Sequence, residues 1–169
     1  MRNKNFWGAY ILVFIAQLLL GNYFAFSPWI MATVLPAMVL CIPLSIGTVG
    51  AMLIAFVTGM GVDLLSEGII GLNALAVVPV AFARNKIIDI VFGQDLILRK
   101  KAFSIRRNGA GPVALALAMA LALYLVIFIW AESAGTRSFG LTFWKFCASF
   151  GVSLGFGLLA IRAMAPDSR

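Results

Sequence analysis

The sequence predicts an all-α membrane protein, six transmembrane helices in one compact bundle, and three observations carry that expectation. Hydrophobic residues make up 63% of the 169 positions and charged residues 11%, with a mean hydropathy of +1.04. Soluble domains run at about 45–50% apolar and about 25% charged, and a chain this short cannot hide so much apolar surface in a water-soluble core. Six apolar runs follow one another, separated by short polar or proline-bearing connections. Within several runs, small residues recur every fourth position, the spacing that lets helix backbones approach closely in lipid. A single integral membrane domain over 1–169 is therefore expected, with no sizeable soluble one.

The first run, 6–20, is apolar except for Gln17 and follows the short basic segment 1–5. Its outline resembles a signal peptide, but no small-x-small cleavage site follows at 21–24, so it is expected to remain as the first span. Gln17 reads as a hydrogen bonder between helices. An aromatic connection, 22–27, leads to Pro28, which suits the first turn of a helix because its missing N–H is an orphan there anyway. The second span is expected at about 28–44, kinked by Pro36 and ended by Pro43.

The third span, 47–65, is the most informative. Gly47, Ala51, Ala55, Gly59 and Asp63 lie four residues apart and so form one stripe on a helix. A charge at the centre of a span costs roughly 2.5–3.5 kcal/mol on insertion scales, and less towards the interface. Asp63 must then face protein or trapped water. Two readings follow: a buried tether with a hydrogen-bonding partner on a neighbouring helix, or a direct contact to a ligand or partner. In the tether reading Asn should serve as well as Asp. Glu67 extends the line to a wetted interface, and a hairpin is expected at 66–71.

The fourth span, 72–83, contains Pro79 and falls short of the roughly 20 residues a crossing needs. Either Arg84 and Lys86 snorkel to complete it, or the helix continues, with Ile87, Ile88, Val91 and Phe92 on one face. A basic cytoplasmic loop is expected at about 84–110. The fifth span, 112–130, follows Ala110, Ala114, Ala118 and Ala122, a second small-residue stripe. After a polar connection at 132–140, the sixth span, 141–164, carries Gly151-x-x-x-Gly155, a close-packing signature.

The chain's net charge of +7 comes from residues that flank apolar runs, which points to topology and anionic lipid rather than nucleic acid. Eleven of the 13 basic residues fall on one side when the termini are cytoplasmic: Arg2, Lys4, Arg84, Lys86, the five within 99–107, Arg162 and Arg169. Arg137 and Lys145 fall outside, so the positive-inside rule places both termini in the cytoplasm. Cys41 and Cys147, both within apolar runs, read as small buried residues, not a disulfide pair. With no histidine there is no Ser–His–Asp triad or HExxH zinc site. No phosphate-binding glycine loop of the P-loop form occurs. Asp63 and Glu67 one turn apart mostly repel, and Asp89, Asp95 and Asp167 lie on the opposite side. Neither catalysis nor a metal or cofactor is expected.

Gly59-x-x-x-Asp63, then Gly71-Leu72-Asn73-Ala74-Leu75-Ala76 and Ala81-Phe82-Ala83-Arg84, together with Gln17, Asn22, Pro28 and Pro43, resemble the MreD family over about residues 10–93. Asn85 departs from the family pattern, where proline commonly follows the arginine. The resemblance implies a non-enzymatic component of the bacterial inner membrane, in the rod-shape and peptidoglycan elongation machinery. It implies that Gly59, Asp63, Gly71, Asn73, Ala74 and Arg84 form the motif, and that an MreC-like protein is the partner. Through it would come MreB, RodA and a class-B penicillin-binding protein. MreD-like proteins are also similar in architecture to the six-helix substrate-binding subunits of vitamin transporters. The second reading is thus a small-molecule site beside Asp63 and Asn73.

The topology is directly testable. Single cysteines at 67, 104 and 137, in a background without Cys41 and Cys147, should label with an impermeant thiol reagent from outside the cell at 67 and 137 only. Labelling at 104 alone would reverse the orientation.

Overall fold

Long apolar runs can satisfy their backbone groups in lipid only by bonding within themselves, which favours helices. In the structure, a computed structural model that describes residues 2–24, 31–66, 69–93, 109–133 and 139–164, the chain is all-helical and the described residues hold no strand. The helices are α1 (Arg2–Phe24), α2 (Leu35–Cys41), α3 (Thr48–Leu65), α4 (Leu72–Phe92), α5 (Ala110–Ser133) and α6 (Phe139–Met164). Among the described residues, three segments are long and apolar enough to cross a membrane: Thr48–Leu65, Ala110–Glu132 and Thr142–Met164. α1 adds the shorter apolar stretch Phe6–Asn22.

Five helices close a ring in which α1 packs on α3, α3 on α4, α4 on α5, α5 on α6 and α6 back on α1. The short α2 fills the centre and touches all five. Side-chain contacts fix the directions. Tyr10 meets Thr58 and Phe14 lies against Gly61, so α1 and α3 run together. Asp63 meets Asn73 while Thr48 meets Asn85, so α3 and α4 are antiparallel. α5 and α6 are antiparallel too, joined by Glu132–Lys145 at one end and Leu117–Gly157 further along. Met31, Thr33 and Ala37 follow Ser149, Ser153 and Gly157 in the same order. Residues 31–46 therefore return beside α6 towards the Arg84 end of the ring.

The second apolar run differs from the expected helix over 28–44. Only Leu35–Cys41 is helical, about 10 Å of rise, and 31–34 is not helical. Pro36 explains the break, since it sits in the first turn of α2, where its missing N–H is no loss, and not in a helix interior. Pro28 lies outside the described residues. The non-helical stretch is buried, so its amides need acceptors. Val34 N donates to Gln17 Oε1 at 2.7 Å, Thr33 N to Ser153 Oγ at 3.0 Å and Met31 N to Ser149 Oγ at 3.0 Å. Ser153 Oγ in turn donates to the Met31 carbonyl at 3.2 Å. Gln17 does join two elements, though it does so through backbone.

α4 is one helix to Phe92, of 21 residues with Pro79 inside it. The basic loop expected from residue 84 accordingly starts no earlier than Gly93, and 94–108 lie outside the described residues. α5 likewise runs through Glu132, which the sequence reading assigns to a connection.

Large apolar side chains point outwards on every ring helix, among them Ile11, Leu53, Phe82, Val126 and Leu159. The buried set includes Gln17, Thr33, Thr58, Asp63, Asn73, Arg84, Ser149 and Ser153. Apolar outside and polar within is the arrangement of a protein solvated by lipid.

The small-residue stripes are sorted by what meets them. Ala51 and Ala55 are fully buried on α3, and a Cβ at Gly59 would stand 2.7 Å from the Ala74 Cα and 2.8 Å from its nitrogen. Gly47, by contrast, is the N-cap of α3, with nothing near it. Gly151 and Gly155 do not pack within the bundle. Both face outwards, and a Cβ on either would meet nothing within 4 Å. The close approach on α6 is made instead by Gly157, against Leu117. On α5 the buried face is Val113, Ala116, Leu117, Ala120, Leu121 and Tyr124, not the stripe from Ala110 to Ala122.

Because the two nearest atoms facing Gly59 are backbone atoms of Ala74, even one methyl group must push α4 away. Gly59→Ala should lower the thermal midpoint in detergent, at a cost of about 1–3 kcal/mol typical of overpacking. Gly155→Ala should leave it unchanged. Equal midpoints would mean that the α3–α4 approach is looser than the structure has it.

Candidate functional site

The buried carboxylate of Asp63 lies at the end of α3, where the turn into α4 begins, with 1% of its surface exposed. The first N–H groups of a helix have no partner within it and carry a partial positive charge. The N-cap of α4 is Gly71, whose φ of +93° is left-handed and whose lack of a side chain leaves that position without an acceptor of its own. Asp63, eight residues earlier, supplies it. Oδ2 accepts from Gly71 N at 3.0 Å and Ala74 N at 3.1 Å. Oδ1 accepts from Asn73 N at 2.9 Å and Asn73 Nδ2 at 3.0 Å. Four donors match the roughly four lone-pair positions of a carboxylate. The same turn carries Ala74, against which Gly59 packs, so the clamp and the close approach are one feature.

The network extends to a third helix, where the Tyr124 hydroxyl of α5 donates to Asn73 Oδ1. Asn73 thereby faces Asp63 with its amide and Tyr124 with its carbonyl. The sequence reading missed Tyr124. Its signal was available, as the sole hydroxyl on the otherwise apolar face of α5 that also carries Leu117 and Leu121.

Arg84 lies eleven residues beyond Asn73, about 16 Å along α4. It neither snorkels nor lies in a loop. Its side chain is 1% exposed, with Nη1 donating to the Ile42 carbonyl at 3.1 Å and Nη2 to the Ile46 carbonyl at 3.4 Å. Ile42 is the C-cap of α2, where backbone carbonyls carry partial negative charge. Arg84 therefore binds the end of the central helix to α4, while Nε is left without a partner. Asn85 beside it donates from Nδ2 to Thr48 Oγ1 at 3.0 Å, fixing the start of α3. Lys86 is exposed.

Gly59, Asp63, Gly71, Asn73 and Ala74 are thus brought together, with Arg84 at the far end of the same helix. Glu67 lies outside the described residues. Lys145 is not a free outer charge. It is buried and pairs with Glu132 at 2.5 Å across the α5–α6 hairpin, a tie that spacing alone does not reveal. Cys41 and Cys147 are both free, the first buried and the second exposed rather than buried as expected.

No protein family, curated protein or solved structure matches the chain.

Among the described residues no cluster of acids and cysteines could hold a metal ion. Chemically, the Asp63 arrangement anchors a helix end. Its four acceptor positions face donors of its own chain, which leaves no lone pair aimed at a ligand.

This geometry argues against the expectation that Asn would replace Asp63. Asparagine has one acceptor oxygen, so its NH2 group must point at two N–H donors. Asp63→Asn should lose the cap on one side, with a cost of about 1–3 kcal/mol for the stranded groups. The measurement is thermal stability of the purified variant beside wild type and Asp63→Leu. Both variants should melt lower, and an Asn variant as stable as wild type would show that a single hydrogen bond suffices.

Proposed function

We propose that this chain is a non-enzymatic, MreD-like component of the bacterial cell-shape and peptidoglycan elongation machinery, acting in the inner membrane as a scaffold for an MreC-like protein. MreB, RodA and a class-B penicillin-binding protein would assemble through that partner. The observation that carries the reading is how the residues bearing the resemblance are used. Gly59, Asp63, Gly71, Asn73 and Ala74 build the α3–α4 clamp, and Arg84 locks α2 to α4. Both buried charges serve to hold the protein's own shape, which suits a body that presents surfaces rather than one that turns over a substrate.

The second reading, a vitamin-type substrate-binding subunit, rests on a polar pocket beside Asp63 and Asn73. Those two side chains already bond to each other, and Asn73 also accepts from Tyr124. The centre of the ring, where a small molecule would sit, is taken by α2, all seven residues of which are buried.

In the membrane the proposal is six passes, the second made by the buried non-helical stretch and α2 together. Lys86 and Arg162, both exposed, would face the cytoplasm, with Arg84 buried in the bundle near that end. Trp130 and Trp144, exposed at the Asp63 end, suit the outer interface.

Depleting the chain from a rod-shaped cell and purifying a tagged copy in mild detergent tests the reading. Rounded cells, with an MreC-like protein retained on the tagged copy, are expected. Normal rods, with a small molecule retained instead, would favour the transporter.

A further inference from the structure

We draw no further inference here: the strongest candidate, the outward groove of Cys147, Gly151 and Gly155 between Trp144 and Leu159 on α6, is a small-residue stripe on an unpartnered apolar face, and nothing in the structure shows what covers it.

Discussion

The carboxylate of Asp63 on the first turn of α4 is the interaction on which the remaining geometry rests. A charge this deeply buried is tolerated only where donors meet it. Here they are the amides that a helix start leaves over, plus the Asn73 side chain. To reach them, α3 and α4 must come within backbone contact, which only a glycine at 59 allows. To present them, the turn must pass through the left-handed region at Gly71. Once Asn73 is held, its carbonyl is placed for Tyr124, and α5 is fixed to the same point. One ion thus sets the relation of three helices.

Arg84 repeats the principle with the opposite sign. A buried guanidinium is balanced by carbonyls at the end of α2 and ahead of α3, much as the carboxylate is balanced by amides. Each charge is met by a helix end of matching polarity. α4 connects the two, so the central helix and the α3–α4 hairpin are held by a single element. The broken second segment follows the same logic without charge. Backbone that leaves the helix inside an apolar bundle is stable only when side chains complete it, and Gln17, Ser149 and Ser153 do so from two helices. These interior ties, and the filled centre, are the observations on which the proposed scaffold role rests.

Much of this was legible in the sequence because apolar run length is read directly. α1, α3, α5 and α6 lie where their runs do. Asp63 announced itself as an ion in an apolar stripe, and Ala51, Ala55 and Gly59 as the face it shares. The second segment was not legible, since apolar composition is the same for a helix and for buried non-helical chain. Only Pro36 hinted at the boundary. Arg84 was misplaced because an arginine near a span end usually snorkels, and the carbonyls it binds carry no side-chain signal. Gly151 and Gly155 show the limit of spacing arguments. A four-residue repeat says that a face is smooth, not which side of the bundle it is on.

The central claim is that Asp63 caps α4 through backbone amides, and amide exchange measures it most directly. The first N–H groups of an uncapped helix exchange fast because nothing holds them. In lipid nanodiscs, hydrogen–deuterium exchange at Gly71, Asn73 and Ala74 should be as slow as in the interior of α4. It should accelerate selectively at these positions in Asp63→Leu. Exchange at Gly71, Asn73 and Ala74 of the wild-type protein as rapid as that of a frayed helix start would contradict the account.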